Sequence, residues 1–244
     1  MPAYINPDSE DDDKGEYKSI SENESKSKCE SNAELADIKA VADRMNGCRR
    51  KCELGRIIAE EIAKYSRYDL QIISARVRKE VEILPEPYRS KFRPYSEIWF
   101  FGRYHKLLLL SREGAFNAGA DSNSNSADGD DIAENRFNRD ITDIETFKKF
   151  CGVIPEACMR DDEPNNEASV LRRYPRHNLF YYLLNAFAMF VLDEPGHPVG
   201  TPFPGGFEVT HTAEGYFCPI REKEEEILHS ICNFCPAKQD PRNL

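Results

Sequence analysis

Between positions 33 and 63 the apolar residues Leu35, Ile38, Val41, Met45, Cys48, Cys52, Ile58 and Ile62 return at steps of three, four and six, which places them along roughly one face of a helix. Gly47 and Gly55 weaken the middle of that stretch. Ser66-Arg-Tyr-Asp69 has the form of a capping box, and Leu70, Ile73, Val77, Val81 and Leu84 follow in three-four alternation until Pro85 and Pro87 stop the pattern. A third helical stretch runs from about 94 to 110, where Trp99, Phe100, Phe101, Leu107 and Leu108 supply bulky core candidates. Thr142-Asp-Ile-Glu145 offers another capping box for a short helix ending near Gly152, and Pro155 is suited to begin a further turn. The most apolar helix covers 175–192: Phe180, Leu184, Phe187 and Val191 form one stripe, and Leu183, Met189 and Phe190 fill the other faces, so it belongs at the centre.

Beyond Pro195 the pattern changes. The segment 195–206 is so rich in proline and glycine that it forms neither a helix nor a central strand, and it reads as an ordered loop. The stretches 207–212 and 216–220 flank Ala213-Glu-Gly215, the signature of a short-loop hairpin. Residues 221–231 read as a short charged helix leading into Cys232-Asn-Phe-Cys235-Pro. Two stretches lack apolar periodicity. Residues 1–31 are polar and acidic and read as a disordered tail, and 114–139, rich in Gly, Ala, Ser, Asn and Asp, reads as a flexible insertion. The expected fold is therefore mainly α. A single bundle-like helical domain spans 32–244, with a small C-terminal β-hairpin and a cysteine-rich knuckle within a module at 195–240.

Charge alters this picture little. Of the net −10, about half arises in the first thirty positions, where nine acidic residues face four basic ones. Between Arg49 and Arg112 fifteen Lys and Arg stand against eight Asp and Glu, a basic stretch that suits an acidic partner or simply a solvated helical face. Nucleic-acid binding through this stretch is the lesser reading, because the chain as a whole is acidic. The apolar run 179–192 is too short to cross a bilayer, and the first residues lack the cationic start and apolar core of a secretory signal. The expected compartment is the cytoplasm, with no membrane association.

That compartment gives the eight cysteines their meaning. Cytosolic thiols stay reduced, so they serve as metal ligands, core residues or redox groups rather than as a disulfide framework. Cys232-x-x-Cys235 sets two thiols on one tight turn, and Cys218 closes the hairpin ahead of them. A tetrahedral site needs a fourth donor, with His197, His211 and His229 as candidates. His197 is favoured because a rigid proline-flanked loop presents a ligand at low entropic cost, whereas His229 would compete with Cys232 for one helix end. Zinc is the expected ion, in a closed Cys3His site. An iron-sulfur cluster is the alternative, since Cys218-Pro and Cys235-Pro share the Cys-Pro step of bacterial ferredoxins without their full spacing. With zinc the protein acts through partner or ligand binding. With a cluster or an open-sited metal it is a redox protein or enzyme.

The remaining candidates favour structural readings. Cys48 and Cys52, four apart on a helix, read as core, as do Cys151 and Cys158. Gly200, Thr201, Gly205 and Gly206 read as a turn, because neither a lysine nor a helix follows to hold a phosphate. Asp193 and Glu194 lie at a helix C-terminus, where the dipole disfavours them, beside His197. No nucleophile elbow, metalloprotease helix, phosphate loop or dinucleotide fingerprint is present in the sequence, so it names no reaction.

Three stretches taken together carry a resemblance: His197-Pro-Val-Gly-Thr-Pro-Phe-Pro-Gly-Gly206, Tyr216-Phe-Cys-Pro-Ile220 and Cys232-Asn-Phe-Cys235-Pro-Ala-Lys-Gln-Asp240. They resemble an uncharacterised archaeal family known mainly from methanogens, the domain of unknown function 2115 family, also termed uncharacterised protein family 0305. The likeness is strongest over 180–240 and weaker over 65–104, where it includes Leu84-Pro-Glu-Pro-Tyr88-Arg. It implies an archaeal source and a cytosolic compartment. It implies no activity and no catalytic residues, and the acidic tail and the 114–139 insertion depart from the family's compact form.

Overall fold

The computed structural model describes residues 32–117, 136–159, 174–225 and 227–243. The acidic tail and the middle of the insertion lie outside these residues. The first amphipathic run forms two helices, α1 over 32–46 and α2 over Lys51–Ile62, with an elbow between them. The elbow has a physical cause in the opposing chain. Arg50 bridges Asp140, and the amides of Lys51 and Cys52 donate to the carbonyls of Arg139 and Phe137 at 3.0 and 2.7 Å, satisfying donors that a helix start leaves free. Both ends of the stretch read as insertion are thus in the core: Phe116 and Phe137 are each 4% exposed and meet edge to face.

Gly55 does not break α2; it makes room. A Cβ there would come within 2.5 Å of the Phe116 ring, which is wedged against Phe137 and Phe187. Replacing Gly55 with alanine gains about 1 kcal/mol of helix propensity. It also forces a packed ring to move, at a cost of about 1–3 kcal/mol or more. Urea denaturation of Gly55→Ala should therefore show a net loss of about 1–2 kcal/mol; a variant as stable as the parent would refute the wedge.

α3 (Arg67–Glu82) starts at the expected capping box, in which the Ser66 hydroxyl oxygen accepts from the Asp69 amide at 3.2 Å and the Asp69 carboxylate accepts from the Ser66 amide at 2.8 Å. α4 (Tyr88–Glu97) begins six residues before the expected start and carries Pro94 within it. It continues through a wide π-helical turn, Ile98–Gly102, into α5 (Arg103–Arg112). α6 (Ile144–Met159) runs straight past Gly152 and Pro155. Its first turn is capped by Asp143, whose carboxylate accepts from the Thr146 amide at 3.0 Å, one residue later than the sequence suggested. Thr142 instead donates its hydroxyl to Asp193.

The central helix is α7 (Pro175–Ala186), which ends in a second π-helical turn, Phe187–Val191, where the Leu192 amide reaches back five residues to the Phe187 carbonyl at 3.0 Å. Leu179, Phe180, Leu183, Phe187 and Ala188 are fully buried, and α2 and α6 pack on this helix. The two acids at its end find cations. Asp193 pairs with the buried Lys51, and Glu194 with Lys106 at 2.8 Å, which offsets their unfavourable place in the helix dipole and gives both a structural role.

β1 (Thr210–Thr212) and β2 (Gly215–Cys218) form the hairpin, and a third strand, β3 (Lys238–Gln239), adds in parallel to β2. The described residues within 221–231 do not form the expected helix. Only a short 3-10 turn, Glu222–Glu224, forms, and a second, Ile231–Phe234, follows Ser230. Glu222 and Glu225 would sit three apart on an α-helix with Glu226 beside them, and such like-charge neighbours oppose it.

Much of the 49–112 basic stretch is neutralised locally. Arg56 pairs with Glu60, Arg76 with Glu80, Arg89 with Glu86 and Arg93 with Glu82. No helix is long and apolar enough to cross a membrane among the described residues.

Candidate functional site

The C-terminal module is built from its backbone outward. β2 delivers Cys218 to the sheet's end, and Pro219 turns the chain so that the amides of Ile220 and Arg221 point at the Cys218 sulfur. β3 fixes that turn from the far side: the Asp240 amide donates to the Cys218 carbonyl at 3.0 Å, and the Gln239 carboxamide oxygen accepts from the Glu222 amide at 2.9 Å. The Ile231–Phe234 turn brings Cys232 and Cys235 into place and anchors the module to the helical body. Ile231 enters the main core, and Phe234 meets Phe150 edge to face.

His197 arrives on the proline-rich loop. Its ring lies against Trp99 and Phe203 at centroid distances of 5.3 and 5.4 Å. Burial, and secondarily the charge of Arg103, lower this imidazole's pKa to about 4, so it is neutral at physiological pH.

Gly196 holds this loop to the helices. Its carbonyl accepts from the Trp99 indole at 2.7 Å and from Arg103 at 2.6 Å, and its amide donates to the Cys235 sulfur at 3.3 Å. A side chain at this position would meet Ile231 at 2.8 Å, so glycine permits the close approach.

The four residues singled out from the sequence, Cys218, Cys232, Cys235 and His197, line one small closed pocket together with Arg221 and Ile231, with no room for a water molecule. Cys218 and Cys232 are 3% and 5% exposed. Desolvation pushes the Cys232 thiol up to about 12, and the neighbouring Cys235 and Cys218 add to the rise; burial also raises Cys218. The dry surroundings thus oppose ionisation of Cys218 and Cys232 unless a cation joins them. Among the described residues, however, no three His, Cys, Asp or Glu side chains stand close enough together to hold a metal ion as they are placed.

The other histidine candidates lie elsewhere. His211 stacks on Tyr216 at the hairpin edge, and His229 faces a separate cleft. Cys48, Cys52, Cys151 and Cys158 are buried in the helical core, while Cys29 lies outside the described residues.

Two arginines at this site were not anticipated. Arg103, 6% exposed, donates to the carbonyls of Pro195 and Gly196 and to Asn185, and has no carboxylate partner among the described residues. Burial lowers its pKa to about 10. Arg221 donates to the Asn233 carbonyl at 3.4 Å and leaves its other terminal nitrogen buried and unpaired. The step Cys218-Pro-Ile-Arg221 was the available signal, since it places Arg221 on the same turn as the cysteine.

The model of a family described as uncharacterised protein conserved in archaea (DUF2115) matches residues 50–139 and 126–240. A UPF0305 protein of Methanopyrus kandleri is 37% identical over 98 residues, 40% of this chain and 63% of that protein. One from Methanothermobacter thermautotrophicus is 42% identical over 55 residues, 22% of this chain and 36% of that protein. One from Methanocaldococcus jannaschii is 23% identical over 186 residues, 76% of this chain and 94% of that protein. The chain thus spans less than two thirds of the first two of these relatives. No solved structure matches the chain.

Proposed function

The chain belongs to this family of uncharacterised proteins conserved in archaea, and from that premise we propose that its C-terminal module is a metal knuckle. It takes one zinc ion through Cys218, Cys232, Cys235 and His197, and the protein acts by binding a partner or ligand on the scaffold this knuckle holds. One observation carries the reading: three reduced thiols and a neutral imidazole, drawn from three separated stretches of chain, share the walls of a single closed pocket. The donor chemistry suits zinc, which prefers thiolate and imidazole in closed four-coordinate sites. Amides directed at Cys218 and Cys235 stabilise the thiolate forms that coordination requires. Coordination calls for the thiols to turn further inward than they stand, and ion binding supplies the free energy for that movement, of order 10 kcal/mol in small zinc modules.

Metal analysis of protein prepared without a chelating tag should find about one zinc per chain, falling by roughly tenfold or more in Cys232→Ser. Folded, reduced protein with near-zero zinc ends this reading. Iron with a visible charge-transfer band would replace zinc by a cluster.

A further inference from the structure

Arg221 carries a charge that nothing near it balances. Its side chain makes one hydrogen bond, from Nη2 to the Asn233 carbonyl at 3.4 Å, and forms no ion pair among the described residues. The carboxylates that share a cavity wall with it are taken, Asp193 by Lys51 and Asp143 by the Thr146 amide at 3.0 Å. Its other terminal nitrogen, Nη1, is buried with no acceptor. A charged donor left in that condition is costly, so the acceptor that completes it belongs to a state of the site.

Arg221 walls two spaces. One is a cavity of about 350 Å³ between the start of α6, the π-turn of residues 187–191 and residues 233–236, and an atom facing it would be open to solvent. Nη1 is shielded, so it does not face that side. The other is the closed pocket of Cys218, Cys232, Cys235 and His197, with no room for a water molecule. The arginine is placed to serve this pocket from both ends. Its backbone lies three residues after Cys218, on the turn whose amides point at that sulfur, and its Nη2 is tied to the residue after Cys232. It thus spans the two turns that carry the thiols. Burial raises the Cys218 thiol, and the Arg221 charge works against that rise. Arg103 differs, because its donors are filled by oxygens of Pro195, Gly196 and Asn185.

Without metal, three reduced thiols and a neutral imidazole offer this cation no negative charge. On coordination the thiols give up their protons to solvent, and three thiolates with one imidazole around a divalent ion leave a single negative charge. We propose that Arg221 is the counter-cation of the knuckle: its guanidinium donates into the closed pocket to the thiolates and cancels the charge left over there. The inference rests on the knuckle reading and deepens it, by naming the residue that ties metal binding to the charge of the pocket.

Zinc affinity of the full chain, measured by competition with a chelator, should fall roughly tenfold or more in Arg221→Met. Arg221→Lys returns the charge without the fork and should recover part of that loss. In cobalt-loaded protein the thiolate-to-cobalt charge-transfer band should move to lower energy in Arg221→Met, since a sulfur that loses its donor gives up an electron more readily. The sign of the stability change separates this role from a structural tie to Asn233. Without zinc, Arg221→Met should unfold at the same urea concentration as the parent or a higher one, because it removes a buried donor that lacks an acceptor. With zinc it should unfold at a lower one. A methionine variant that binds zinc within about twofold of the parent, with its cobalt band unmoved, overturns the proposal. So does one that is destabilised or unfolded before metal is added. A parent chain that takes up no zinc ends the knuckle reading as well, and because that result is read on the parent alone, the two failures are distinct.

Discussion

Replacing Arg103 with methionine is expected to cost about 3 kcal/mol of stability and to release the 195–197 loop. The arginine satisfies two loop carbonyls with a single fork, Nη1 to Gly196 at 2.6 Å and Nη2 to Pro195 at 2.7 Å, and it reaches Asn185 on the central helix at 3.2 Å. Charged hydrogen bonds of this kind contribute about 1.5–3 kcal/mol each before the cost of burying the charge is set against them. Removing the cation also removes that cost, which holds the net loss to about one such bond. The methionine variant leaves the Pro195 carbonyl and the Asn185 side-chain oxygen without this donor. Trp99 shares the Gly196 carbonyl with Arg103, so a loosened loop should also shift the tryptophan emission to the red. Arg103→Lys keeps the charge but loses the planar fork, and should fall between methionine and the parent. Urea denaturation followed by tryptophan emission measures both effects. A methionine variant within about 0.5 kcal/mol of the parent, with unchanged emission, would show that the loop stands without this clamp.

This clamp also shows where sequence reading stops. Apolar spacing located the helices and the centrality of 175–191 because burial of a helical stripe repeats every three to four residues, and Phe180 and Phe187 lie where that repeat places them. The Ser66 box marked the start of α3 because a cap is a local interaction among four residues. The Cys232-x-x-Cys235 step was legible for the same reason, and so was the hairpin that ends at Cys218.

Contacts between distant segments were not legible. The elbow before α2 depends on carbonyls some ninety residues away, and Arg103, in a basic helical stretch, looked like any solvated cation. Pro94 read as the start of a helical stretch and Pro155 as the start of a further turn, but both sit inside helices, because the tertiary fold overrides a local penalty of about 3 kcal/mol. β3 is two residues long, too short for any periodicity, yet it locks the turn that holds Cys218. The contacts of two buried histidines with distant carboxylates were equally hidden: His177, in the first turn of an apolar helix, faces Asp69, and His229, weighed only as a neighbour of Cys232, faces Glu156.

Alkaline pH should unfold this chain steeply. Burial raises the Cys48 thiol to about 11 and pushes those of Cys151 and Cys158 up as well, and these three are 6%, 2% and 1% exposed within the helical core. In the unfolded chain all three return to their ordinary value of 9.0. Below that pH both states keep their protons and the thiols contribute no pH dependence. Above it the unfolded state ionises first, and stability falls until pH passes the folded value. One unit above the unfolded value each thiol lowers stability by about 1.4 kcal/mol, so the three together remove about 4 kcal/mol at pH 10. That is a large part of the 5–15 kcal/mol typical of a folded domain.

Cys232, raised to about 12, adds about 1.4 kcal/mol more if it remains a thiol, and Cys218, raised by burial, shifts stability in the same direction. Held as thiolates on zinc, they instead favour the folded state increasingly as pH rises toward 9 and add no further pH dependence above it. Denaturation measured at pH 7.5, 9 and 10 should therefore show a steeper decline after chelation than before it. Replacing Cys48, Cys151 and Cys158 together with alanine should remove about 4 kcal/mol of the decline at pH 10. A stability profile flat to pH 10 would mean that these thiols are not held protonated by burial. Identical slopes with and without chelator would mean that Cys218 and Cys232 carry no ion.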